Sequence, residues 1–164
     1  MVASKGPGDT NRESWMKTKN PDFRALVEEI FQKAAFIREL GIELVDIGAG
    51  HCETALVLQP KHLQQDGVVH AGVEATMADH TAGAAATSLV GADEYILTAE
   101  FKINFLRPAR GDALHCRSRV LKPGRTLIVA ESEVFADPAA PSHLVAKAIV
   151  TLAVVPRGVP GTSR

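Results

Sequence analysis

Aromatic residues are scarce in this 164-residue chain: they make up 5% of it, with one Trp and one Tyr. Proteins that hold single-stranded nucleic acid need stacking platforms, and few are on offer. Neither sign of charge is in excess. Eighteen Lys and Arg stand against nineteen Asp and Glu, a net charge of −1, so there is no electrostatic case for nucleic acid or an anionic membrane surface. Cysteine is limited to Cys52 and Cys116. Both fall in strand-like segments without CxxC spacing, which reads as reduced structural thiols in a cytoplasmic protein. No apolar run is long enough to span a bilayer, and the N-terminal stretch has no apolar signal core. No two of the six histidines stand at i, i+4 spacing, so no metal site is expected.

What remains is the composition of an ordinary globular protein, 46% apolar and 23% charged, long enough for one domain with a full core. The polar stretch 1–19 reads as a flexible tail, 20–155 as a single domain, and the Gly/Pro-rich 156–164 as a second flexible tail.

Asn20-Pro21 looks like an N-cap and first-turn proline. Phe23, Leu26, Val27, Ile30, Phe31, Ala34, Ile37 and Leu40 then recur at helical spacing up to Gly41, predicting one amphipathic helix. Ile42 to Ile47 and Cys52 to Leu58 read as strands, and Lys61 to Val69 as a polar loop. From Tyr95 to Leu106 the chain alternates. Tyr95, Leu97, Ala99, Phe101, Ile103 and Phe105 are expected on one face, with Thr98, Glu100, Lys102 and Asn104 on the other. Ala113 to Leu121 and Thr126 to Ala136 are strands joined at Lys122-Pro123-Gly124-Arg125, a hairpin turn. Asp137 to Ser142 is a Pro-containing turn before a last strand, His143 to Val155. Helix, two strands, a second helix and four strands make an α+β pattern.

That second helix, Ala71 to about Leu89, is the most informative segment. HAGVEATMADHTAGAAA is built of small residues yet carries Glu74, Asp79, His70 and His80. An acid in a small-residue helix is expensive to bury unless it is paired, solvated or used. The helix start also presents free N–H groups and a positive dipole end. Glu74 and Asp79 are five apart, about 140° around a helix, so they form no carboxylate pair on one face. Ser88 lacks a nucleophile-elbow pattern.

The segment Gln64 to Asp79 resembles the PaaI-like acyl-CoA thioesterases of the hotdog fold, where His-Gly-Gly precedes an acid. Here His70-Ala71-Gly72 stands with six residues before Asp79. The strand TAEFKINFLRP from Thr98 and the turn Gly124-Arg125 also look like that family, and the similarity runs from about Phe36 to Val155. The resemblance implies an antiparallel sheet wrapped around a long central helix, with an extra N-terminal helix. It implies hydrolysis of an aryl or medium-chain acyl-CoA thioester to free acid and CoA, with no cofactor beyond the CoA of the substrate.

Asp79 would be general base or nucleophile. The Ala71 N–H, with Gly72 beside it, would polarise the thioester carbonyl. Gln64, fifteen residues before Asp79, would help hold the water or thioester, and Thr98 would orient water. His70 would fix the helix start rather than act as a base, while Glu74 and His80 would be structural or interfacial. Ala71 departs from the family's usual Gly, which bears on the shape of the acyl pocket more than on a backbone donor. Arg107, Lys122 and Arg125 are candidate contacts for CoA phosphates. The resemblance further implies a homodimer or a homotetramer built as a dimer of dimers, with Asp79 of one subunit facing Ala71 and Gln64 of the other. The rival readings are a non-catalytic acyl-CoA-binding hotdog module and, further off, a hotdog dehydratase or hydratase.

Overall fold

A computed structural model describes residues 16–136 and 143–158. The expected tail segments 1–15 and 159–164 and the turn Asp137 to Ser142 lie outside the described residues. The elements are α1 (Phe23–Lys33), α2 (Ala35–Leu40), β1 (Ile42–Gly48), β2 (His51–Val57), a 3-10 turn (Pro60–His62), α3 (Ala71–Thr87), β3 (Glu94–Phe105), β4 (Ala113–Pro123), β5 (Leu127–Ala136) and β6 (Leu144–Pro156). The strands form one antiparallel sheet in the order β1-β2-β4-β5-β6-β3. The sheet wraps α3, which touches every strand.

Alternation explains the wrap. Cys52, Thr54 and Leu56 of β2, Leu114, Cys116, Ser118 and Val120 of β4, and Ala146, Ala148, Val150 and Leu152 of β6 all turn inward and are buried. Opposite them α3 buries Val73, Glu74, Met77, Ala78, Thr81, Ala82, Ala84 and Ala85. Its small side chains let the sheet approach closely.

A polar seam runs under the helix at seven-residue spacing. The Thr81 hydroxyl meets that of Thr54 at 2.8 Å and bonds the Met77 carbonyl. Ser132 donates to the Ala78 carbonyl and shares a 2.6 Å bond with Ser118. Ser88 accepts the Gly50 N–H at 2.7 Å and donates to the Ala85 carbonyl. Each hydroxyl is buried and each is satisfied, as a polar group in a core must be. Glu74, on the same line, is the exception. It is 3% exposed, its Oε2 has no partner among the described residues, and burial pushes its carboxyl up to about 7.

Four expectations are corrected. The predicted helix from Phe23 to Leu40 breaks at Ala34, whose ψ of 90° is extended. Ala34 is no helix breaker, so the break belongs to tertiary packing: α2 is re-aimed to bury Ile37 and leave Phe36 exposed. Asn20 is not the N-cap. Its side chain accepts the Asp22 N–H at 3.0 Å in a turn ahead of α1, and Asp22 takes the cap position without a side-chain bond. The inner ends of the segments expected as tails are packed: Met16 packs on the core, Lys19 pairs with Glu94, and the Arg157 N–H bonds the Asp93 carbonyl.

Finally, β3 does not alternate strictly. A register shift between Thr98 and Glu100 bulges Ala99 outward from the ladder. Tyr95 and Leu97 therefore share the outer face with Val155 and Ala153, while Thr98 joins Phe101, Ile103 and Phe105 on the helix side, opposite Leu152, Val150, Ala148 and Ala146.

Two stability measurements check the seam. Ser88→Ala strands the buried Gly50 N–H and is expected to cost about 1–3 kcal/mol in urea denaturation. Glu74 is protonated in the folded state up to about pH 7 but ionises near 4.5 when unfolded. Between those values the unfolded chain binds fewer protons, so stability falls as pH rises. Glu74→Gln should match the parent below pH 4.5 and exceed it by roughly 3 kcal/mol at about pH 8; a pH-independent difference in urea midpoint would contradict this.

Candidate functional site

α3 starts where a closed loop delivers it. The His70 N–H bonds the His62 carbonyl at 2.8 Å, and the Val69 N–H bonds the Ala109 carbonyl at 3.0 Å. The His70 side chain caps the helix: Nδ1 accepts the Gly72 N–H at 2.9 Å. The Val73 N–H bonds the His70 carbonyl at 2.9 Å. The Ala71 N–H is left with no partner among the described residues, on an exposed residue at the positive end of a helix of 17 residues.

His70 therefore fixes the helix start, through the helix's own second N–H. That bond also occupies Gly72, which is a cap partner and not a second free donor. A Cβ at Gly72 would lie 3.0 Å from His70 Nδ1, so the glycine makes room for the capping ring.

The loop orients Gln64. Its Oε1 accepts the Asp66 N–H at 2.6 Å. A backbone N–H demands an acceptor, so the oxygen is the amide atom held by the loop and the NH2 has no partner among the described residues. Half-buried Gln64 can thus donate to a substrate oxygen with the NH2, while its oxygen already accepts a bond.

Asp79 lies on the less buried face of α3 and is half-buried. The Thr98 hydroxyl donates to its Oδ1 at 2.7 Å, which leaves Oδ2 without a protein partner among the described residues. The Ala99 bulge is what turns Thr98 toward the helix. Next to Asp79, His80 stands edge-on to Phe31 at 4.6 Å with its Nε2 buried and unpartnered. Burial lowers its pKa against the opposing pull of Asp79. Packed under α1, it is a structural residue, and Glu74 points from the opposite side of α3 into the sheet.

The candidate residues fall into two groups, one at the start of α3 and one at its middle. Ala71 and Asp79 are eight residues apart on a helix, about 12 Å along its axis, too far to act on one carbonyl. The Val69–Ala109 bond places Gln64 and Ala71 at the end of the sheet where β3 finishes, and with them Arg107. Asp79 and Thr98 lie toward the other end, with Lys122 and Arg125 in the β4–β5 hairpin beyond Val129 and Thr151. Arg107 is thus separated from Lys122 and Arg125 by roughly 20 Å of strand within one chain. The three candidate phosphate contacts therefore do not stand together within one subunit.

Other features lie apart from this arrangement. A groove of about 650 Å³ sits on the outer face of the sheet, lined by Glu53, Arg117, Arg119, Glu131 and Glu133 among others. Its charges are largely paired, Arg117 with Glu53 and Arg119 with Glu131. Cys52 and Cys116 are free and buried, and burial pushes both thiols up, Cys116 to about 12. Among the described residues no group of three or more His, Cys, Asp or Glu is placed to hold a metal ion, and no helix is long and apolar enough to cross a membrane. Sequence reasoning missed His62 and Arg110, which bonds the Gly67 carbonyl at 3.2 Å. Nothing in their spacing signals a role.

Known proteins share the family and the fold. The family model of the thioesterase superfamily matches residues 66–141, which contain the helix start, Asp79 and Thr98. A candidate esterase of Saccharolobus solfataricus is 35% identical over 124 residues, covering 75% of this chain and 86% of that protein. The crystal structure of a thioesterase family protein from Silicibacter pomeroyi shares 33% identity and a TM-score of 0.77, over 82% of this chain and 98% of that one. The E. coli PaaI protein of the phenylacetic acid degradation operon shares the fold, at 19% identity and a TM-score of 0.74, over 84% and 96% of the two chains. The chain belongs to the thioesterase superfamily, with the hotdog fold and the activity of a thioester hydrolase.

Proposed function

We propose that the protein hydrolyses acyl-CoA thioesters, with an aryl or medium-chain acyl group, at a site completed by a second copy of the chain. The observation that carries this reading is the pairing of Thr98 with Asp79 at 2.7 Å. It fixes one carboxylate oxygen and leaves the other available for chemistry. As general base, Asp79 would take a proton from water. The hydroxide would add to the thioester carbonyl, and the tetrahedral oxyanion would collapse with loss of the CoA thiolate. As nucleophile, it would attack the thioester carbonyl and expel the CoA thiolate, giving a mixed anhydride that water then cleaves to the free acid and the carboxylate. In either route the oxyanion needs donors aimed at it. The Ala71 N–H and the NH2 of Gln64 suit that task.

The roughly 12 Å between Ala71 and Asp79 favours a site shared between subunits. β3 is a terminal strand of the sheet, and Leu97, Phe101 and Phe105 are 52%, 41% and 47% exposed on it. Unpaired edges invite pairing with another chain. Two chains joined antiparallel along β3 would bring the Gln64–Ala71 end of each to the Asp79–Thr98 end of the other. The same pairing would carry Arg107 of one toward Lys122 and Arg125 of its partner, where a CoA phosphate could meet them. A dimer is the minimum, and a dimer of dimers repeats the same unit. Cytoplasmic CoA esters are the substrates such a site would meet.

Thiol release from a panel of aryl and aliphatic acyl-CoAs tests the activity. The wild type is expected to release thiol. Asp79→Ala should lose roughly 10²–10⁴-fold in rate with its oligomeric state intact, and Thr98→Val about tenfold through loss of one charge-assisted bond. Full activity in Asp79→Ala would remove Asp79 from the mechanism. Light scattering should give at least a dimer; a monomer with full activity would overturn the shared site.

A further inference from the structure

His62 is fully buried, 0% exposed, in a segment that is otherwise polar and largely exposed. Both ring nitrogens are engaged. The Gln59 N–H donates to Nδ1 at 3.0 Å, and Nε2 donates to the Leu40 carbonyl at 2.8 Å. These two bonds require a single neutral tautomer, with the proton on Nε2. One nitrogen ties the ring to the end of α2 and the other to the entry of the 3-10 turn.

The backbone of the same residue carries the helix start, since its carbonyl accepts the His70 N–H at 2.8 Å. Next to that bond, Leu63 and Val69 form an antiparallel bridge. Inside it, the Gln64 N–H bonds the Val68 carbonyl at 2.8 Å and the Gly67 N–H bonds the Gln64 carbonyl at 3.0 Å. Residues 62–70 are thus a closed loop whose base is held on one side by the His62 imidazole and on the other by buried Val69, which bonds the Ala109 carbonyl. Gln64 lies just inside the base, and Ala71 follows the closing residue.

We infer that His62 is a positioning residue for the thioester carbonyl: by anchoring the base of this loop it sets where the Gln64 amide and the Ala71 N–H stand relative to each other. The inference rests on reading those two groups as carbonyl donors. The oxyanion appears after the ground-state thioester has bound, so a shift of these donors weakens the transition state more than the bound substrate. Small misplacements of catalytic groups are costly in rate, up to about a hundredfold for 1 Å.

Three variants divide the anchor. His62→Gln retains a donor that reaches the Leu40 carbonyl. His62→Asn retains an acceptor for the Gln59 N–H. His62→Phe retains the ring and neither bond. Two readouts are taken on each: steady-state kinetics with an acyl-CoA that the wild type cleaves, and amide exchange at Val69, His70 and Gly72. Asp79→Ala is assayed alongside.

The expected result is a kcat loss of about tenfold in His62→Gln and His62→Asn and a larger loss in His62→Phe. KM should stay within about threefold, and exchange at the three amides should speed in the same order. If His62→Phe does not fold, the Gln and Asn variants carry the test. Unchanged kcat with faster exchange, alongside an inactive Asp79→Ala, would overturn the positioning role and leave the site standing. Lost kcat with unchanged exchange would equally overturn it, because the loop would not be the route. An active Asp79→Ala would overturn the site reading, and the role of His62 with it.

Discussion

The close contact between α3 and the sheet is the constraint on which everything else rests. A helix of Ala, Gly, Thr and Val lets strand side chains approach its backbone, and that approach is held by hydroxyls as well as by apolar contact. Thr81 with Thr54, Ser132 with Ser118 and the Ala78 carbonyl, and Ser88 with the Gly50 N–H are directional bonds in a low-dielectric core. They fix the rotation of α3 about its own axis. That rotation buries Glu74 and leaves Asp79 on the less buried side of α3.

The same rotation explains why two acids on one helix have different fates. Glu74 Oε2 has no partner among the described residues, and burial raises the carboxyl pKa, so it costs stability at neutral pH. Asp79 stays half-exposed and receives one hydroxyl. That hydroxyl arrives because β3 bulges at Ala99. Without the extra residue, Thr98 would face away from α3 together with Glu100 and Lys102. A one-residue irregularity in a ladder thus decides the carboxylate's environment.

The helix start is organised by the same economy of bonds. His70 takes the Gly72 N–H and the His70 carbonyl takes the Val73 N–H, which leaves the Ala71 N–H without a partner among the described residues. The loop before it turns the Gln64 amide by holding its oxygen. The start of α3 therefore offers hydrogen-bond donors and its middle a carboxylate. Their separation along α3 is a property of helix rise, which no local adjustment can remove.

The sequence by itself determined the strands, the small-residue helix, the β4–β5 turn, the capping His70 and the place of Asp79 on α3. These follow from period, turn chemistry and capping, all of which act over a few residues. Its periodicity also ran unbroken through Ala34 and through Ala99, where the chain does break, because packing against distant strands outweighs local preference. Tertiary structure alone decided that Glu74 is buried and Asp79 is not, that Thr98 meets Asp79, and that the His62 ring anchors a loop. It also decided that Arg107 stands at the opposite end of the sheet from Lys122 and Arg125. Each of these depends on which residues of other elements come near, and adjacency across a sheet is set by the whole fold rather than by spacing along the chain.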